Sequence, residues 1–168
     1  IPSSNTYIAK DSQINDHIDQ LRHASTSALF NRKDVIIVSS VSCIYGIGSP
    51  KDYFNMTIEL CSKDLLERET LLEELIKIQY TRSRFELTRG TFRAIGNNVD
   101  IIPSNFEDKA VKVKFQDDKI LAIYEIDPLS GEIIEEIDNI IIFPSTHYVV
   151  EKMTTEKAIK SIEAELKN

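Results

Sequence analysis

The chain has 168 residues, 42% of them hydrophobic and 28% charged, and a formal net charge of −7. This is ordinary globular composition, with room for one full core or one and a half. The acidic balance excludes broad nonspecific DNA binding by the chain alone, because neutralising phosphates needs a basic face.

Cys43 and Cys61 are the two cysteines. They form no Cys-x-x-Cys pair, and His17, His23 and His147 are not spaced with them as a zinc site requires. Buried free thiols in a reducing cytoplasm are expected. There is no signal peptide and no apolar run of membrane-spanning length, so a cytoplasmic protein with no membrane partner is expected. The chain opens on Ile1 rather than Met, in mid-pattern, and reads as a fragment of a longer protein.

Residues 1–10 are polar and turn-like. Asp11 can cap a helix whose Ile14, Ile18, Leu21 and Ala28 fall at helical spacing and are expected to face inward. Val35–Val38 reads as a short buried strand, since an apolar run without alternation suits a parallel sheet covered on both faces. Ser49-Pro50-Lys51-Asp52 opens a second helix, with Ser as cap, Pro at the first helical position and Asp at the third. Phe54, Ile58 and Cys61 are expected on one face of it. A third helix is expected near Thr70–Ile78, with Leu71, Leu72, Leu75 and Ile78 inward.

Residues 80–100 hold four arginines, Arg82, Arg84, Arg89 and Arg93, against two acids, a basic island in a negative chain. β-formers flank Gly96-Asn97, a hairpin signal. That turn places Arg93 opposite Asp100 and Phe92 opposite Ile101, one ionic and one apolar cross-strand pair. The arginines are either a docking surface on a rigid hairpin or simply solvated and paired locally. The pattern then becomes period two: Val111, Val113 and Phe115, a turn at Asp117-Asp118, then Ile120, Ala122, Tyr124 and Ile126. Further strand candidates start at Ile133 and Ile140, and residues 154–167 return to helix. The sequence thus predicts an α+β fold, an antiparallel sheet with helices forming an inserted module, beside a partial α/β segment.

Motifs for catalysis fail. Gly46 and Gly48 follow a strand candidate, but Lys51 is followed by Asp52, so no phosphate loop forms, and a dinucleotide fingerprint lacks its third glycine. Ser40, Ser42 and Cys43 with His147 lack a nucleophile elbow and an ordered acid partner. No catalytic residue is assigned.

Several stretches together resemble the UvrB family of the bacterial excinuclease: Ile1 to Asp11, Arg22 to Leu29, Ser40 to Pro50, Ile78 to Arg82, Arg89 to Arg93, Asp100 to Pro103, and Phe143 to Tyr148. They run in order over essentially the whole chain. The resemblance implies a helicase-like protein of nucleotide excision repair that verifies damage. It has two motor domains, a DNA-threading β-hairpin, and an inserted domain that docks on UvrA, the damage-sensing ATPase of the excinuclease. It implies a division into 1–54, a partial motor domain with the return arm of the hairpin; 55–145, the UvrA-interacting domain; and 146–168, re-entry into the core. The ATP-binding and later helicase motifs lie outside this stretch in the family. The fragment is therefore expected to be no enzyme and to need no cofactor, whereas the full-length protein would use ATP with Mg and meet UvrC and damaged DNA.

Residue by residue, Tyr7 matches an aromatic of the DNA-contacting hairpin, and Lys10 and Arg22 match basic positions near the DNA path. Arg82 and Arg93 match arginines that contact UvrA. Lys112 stands where Arg is common, which keeps charge but loses the bidentate fork. Ile95 departs from a common arginine and Lys114 from a common acid. Reversing Arg82 and Arg93 to Glu is expected to leave the fold intact. Two other readings remain: a similar docking module of a transcription-repair coupling factor, and a nucleic-acid binder acting through residues 1–23.

Overall fold

The computed structural model describes residues 15–44, 47–147 and 165. In chain order these form α1 (Asp16–Asn31), a 3-10 turn (Val41–Ile44), α2 (Pro50–Asn55), β1 (Ile58–Cys61), α3 (Arg68–Lys77) and β2 (Thr81–Arg82). There follow β3 (Thr91–Ile95), β4 (Asn98–Ile102), β5 (Ala110–Gln116), β6 (Lys119–Ile126), β7 (Ile133–Ile137) and β8 (Asn139–Ile142). Among the described residues no helix is long and apolar enough to cross a membrane.

The fold is α+β. Strands β2 to β7 make one sheet in chain order, antiparallel throughout except for the short parallel β2–β3 pair. The period-two stretches become this meander because alternate side chains of each strand share one face. From that face Phe92, Val99, Ile101, Val111, Val113, Phe115, Ile120 and Ile123 enter a core completed by Leu71, Leu72 and Leu75 of α3. The apolar stripe of α3 thus covers one side of the sheet, and among the described residues no helix joins the apolar cluster on the other. β8 leaves the meander and pairs with β1 as a two-stranded ribbon, Ile58 opposite Ile142.

Three local expectations change. The helix opened by Ser49 is capped as anticipated, with Asp52 N–H donating to the Ser49 hydroxyl, but it stops at Asn55. Ile58 to Cys61 is strand, because β-branched Thr57 and Ile58 favour it and β8 supplies a ladder. The first helix is capped by Asn15, whose side chain accepts from the His17 and Ile18 N–H groups. Its packed face is polar: Gln20, His23 and Ser27 are buried, while Ile18, Leu21 and Leu29 are exposed. Val35–Val38 forms no strand; Ile36 is 93% and Val38 94% exposed, since a buried parallel strand needs neighbours and none of the described strands pairs with it. The arm at 1–10 and all of the closing helix but Glu165 lie outside the described residues.

This distribution gives a direct expectation for stability. Leu75 is 0% exposed and Leu21 48%. Leu75→Ala should cost about 2–5 kcal/mol, and Leu21→Ala roughly 0.5 kcal/mol or less. Urea unfolding of the two variants checks it.

Candidate protein-docking face

The hairpin forms in the expected register: Phe92 faces Ile101, Arg93 faces Asp100, and Ile95 faces Asn98 around Gly96-Asn97. Gly96 has φ +57°, and Asn97 does not share the positive φ. Positive φ at the first turn position alone is the II′ pattern, which takes Gly there and matches the twist of the strands. Gly90 also has positive φ (+74°), and a Cβ there would meet the Ser145 Cβ at 3.2 Å, so the approach of the 143–147 segment to β3 needs glycine.

On the sheet face away from α3 the register builds one lateral row. Arg93 lies opposite Asp100, Asp100 opposite Lys112, Lys112 opposite Tyr124, and Tyr124 opposite Glu136. The row crosses β3 to β7 and alternates charge at its Arg93 end. Arg93 Nη2 donates to Asp100 Oδ2 at 2.9 Å. Asp100 is only 5% exposed, yet its Oδ1 has no hydrogen-bond partner, and neither has Arg93 Nε. The guanidinium therefore engages the carboxylate with one arm of its fork. A parallel row runs Ile95, Asn98, Lys114 across three strands.

The basic island divides by role. Arg89 is structural: its Nη1 meets Asp19 Oδ2 at 3.0 Å and its Nη2 donates to the Asp16 carbonyl at 3.2 Å, tying α1 to the loop before β3. Arg93 is half engaged. Arg82 on β2 and Arg84 after it are exposed and form no ion pair among the described residues. The island is thus part paired locally, at Arg89 and Arg93, and part exposed, at Arg82 and Arg84. Lys112 is half-buried within the row. Of the three residues expected to dock, Arg93 and Lys112 share the face away from α3, whereas Arg82, paired with Phe92 on edge strand β2, belongs by register to the opposite face. Arg22 instead lies on α1, beside a groove of about 520 Å³ lined by Ile18, Leu21, Leu29, Ile37 and Val38. Tyr7 and Lys10 lie outside the described residues.

Sequence reasoning missed a second cluster. His23 and His147 stack at 4.0 Å between α1 and the segment after β8. His23 Nδ1 lies 3.3 Å from the Tyr53 hydroxyl, and His147 Nε2 lies 3.0 Å from the Thr26 hydroxyl. Asp19 completes a group whose ligating atoms lie within 4.8 Å of one another. Stacked rings hold their in-plane lone pairs side by side rather than converging on one point, and Arg89 already occupies Asp19. The cluster suits a neutral stacked joint better than a metal centre. Burial, reinforced by His147, pushes the His23 pKa down to about 3, and burial also lowers that of His147. Only the spacing of single histidines is legible in sequence, and it carries no sign of a pairing between distant segments.

Residues 58–148 match the family model of the UvrB interaction domain. The chain is 48% identical over 166 residues to UvrABC system protein B of Carboxydothermus hydrogenoformans, a match covering 99% of this chain and 25% of that protein. The same protein of Bacillus subtilis is also 48% identical over 166 residues, with 99% and 25% covered. That of Mycobacterium leprae is 47% identical, with 99% and 24% covered. The chain thus spans about a quarter of the length of the curated relatives it matches. With the UvrB interaction domain recognised over more than half of its residues, and the sheet and hairpin of that stretch in place, the chain belongs to the UvrB interaction domain family.

Proposed function

We propose that this chain is the part of a UvrB protein that docks on UvrA, the damage-sensing ATPase of the excinuclease, during nucleotide excision repair. The observation that carries the reading is the sheet face away from α3. Arg93, Asp100 and Lys112 align across it in fixed register, while exposed Arg82, paired with Phe92, stands on the edge strand β2 with its register on the opposite face. A planar guanidinium suits carboxylates of a protein partner because it can hold one with two hydrogen bonds.

The division at 1–54, 55–145 and 146–168 belongs to the same proposal. The polar side of α1 packs on the sheet domain, whereas its exposed apolar side, with Ile36 and Val38, is suited to cover by the remainder of a motor domain. Tyr7, Lys10 and Arg22 are assigned to DNA contact only in that larger protein, as are ATP with Mg and the meeting with UvrC. The chain itself is assigned no catalytic residue and no cofactor, and a cytoplasmic setting follows from the repair role.

Titration calorimetry of the chain against UvrA, paired with a gel shift on single-stranded DNA, tests this. Saturable binding to UvrA, with no DNA retardation at micromolar chain in physiological salt, is expected. Tight DNA binding without UvrA binding would favour the nucleic-acid reading instead.

A further inference from the structure

Phe85 is 88% exposed. Two residues on, Leu87 packs against the cluster of Ile102, Ala110 and Ile126 on the side of the sheet away from α3. The intervening backbone is held. The Ser83 N–H donates to the Phe92 carbonyl at 2.8 Å, and the Ser83 hydroxyl to the Glu86 carbonyl at 2.5 Å. Arg93 Nη1 reaches the carbonyl of Phe85 itself at 3.5 Å. The loop is therefore formed before any partner arrives, and the ring stands off it uncovered.

A single exposed apolar side chain is ordinary, so exposure alone decides nothing. Two independent observations set Phe85 apart. It is preceded by Arg82 and Arg84, both exposed and without ion pairs among the described residues, and followed by exposed Glu86. Ile95, the next outward residue after Arg93 along β3, is also exposed. The other fully exposed apolar residues lack this setting; Leu129, for one, sits in the turn after Asp127. An exposed aromatic beside arginines is the composition of an interface hot spot, where a ring is desolvated and charges close its rim. A preformed loop lowers the ordering cost of binding.

We propose that Phe85 is the apolar anchor of the docking face. It would seat in an apolar recess of an acidic protein surface while Arg82 and Arg84 meet carboxylates around it. The inference rests on the UvrA reading and names the residue that would supply its apolar contact.

The test is calorimetry of the chain against UvrA with Phe85→Ala, Phe85→Tyr and Arg82→Glu, each with a thermal melt. Phe85→Ala should melt as the parent chain does and bind about 30-fold more weakly, while Phe85→Tyr, which keeps the ring, should bind within a few-fold of the parent. If Phe85→Ala binds like the parent while Arg82→Glu loses affinity, the docking reading stands and the anchor is overturned. If the parent chain gives no binding, both are overturned.

Discussion

Replacing Arg82 and Arg93 together is expected to weaken binding to UvrA by about 2–5 kcal/mol if both guanidinium groups are desolvated at the interface, and by less at its rim. The two positions differ in what else they do. Arg82 is exposed and forms no ion pair among the described residues, so Arg82→Glu should bind more weakly with an unchanged fold. Arg93 covers Asp100, which is almost fully buried. Arg93→Glu would set two like charges opposite each other and strip Asp100 of its partner, costing roughly 1–3 kcal/mol of stability. The simple expectation of two harmless reversals is therefore corrected for Arg93. Arg93→Gln with Asp100→Asn removes both charges of the pair and separates docking from folding. Calorimetry of Arg82→Glu in that background, with circular dichroism and a melt, checks it; parental affinity in a folded triple variant would remove this face from the docking site.

The second large effect is loss of stability in mild acid through the stacked histidines. His23 has a folded-state pKa of about 3, against about 6.5 for an unperturbed imidazole. Below the higher value the unfolded chain takes up a proton that the folded chain refuses. The stability this joint contributes is therefore fully present above about pH 6.5 and is lost as pH falls from there toward 3. The slope is about 1.4 kcal/mol per pH unit from one such group, and the lowered pKa of His147 adds to it in the same direction. The groups facing the pair have opposing effects on His23: Asp19 favours its protonation, while Arg89 and Arg22 oppose it. Tyr53 contributes a hydroxyl whose own pKa is raised by burial and which stays neutral throughout this range. In urea unfolding at pH 7.5, 6.0 and 5.0, the parent should lose stability faster than His23→Phe, which keeps a stacking ring but does not titrate. Parallel pH profiles for the two would show that the buried histidines are not the acid-sensitive joint.

What is legible in the sequence follows the range of each interaction. The hairpin register, the α3 stripe and the β5–β6 meander are local: period, turn chemistry and a few cross-strand pairs determine them, and Phe92 opposite Ile101 falls where expected. The α2–β1 boundary escapes such reading because Ile58 and Cys61 fit a helical period, and only the distant β8 turns them into strand. The expected facing of α1 is reversed for a related reason. Its apolar stripe would ordinarily choose the core side. Here the buried side is fixed by Gln20, which donates to the Asn105 carbonyl, by the Asp19–Arg89 pair, and by the histidine stack. Those partners lie 70 to 124 residues away by their numbers. Arg89 shows the same limit, since nothing in its neighbourhood separates a structural arginine from an open one.

A protein partner is expected to dock on the sheet face away from α3, around the Gly96-Asn97 hairpin. Hydrogen–deuterium exchange of the chain with and without UvrA tests it most directly. Added protection is expected in residues 81–95 and on β4 and β5, with little change in α1 or residues 35–47. Protection confined to α1 and residues 35–47, with the hairpin exchanging as in the free chain, would contradict it.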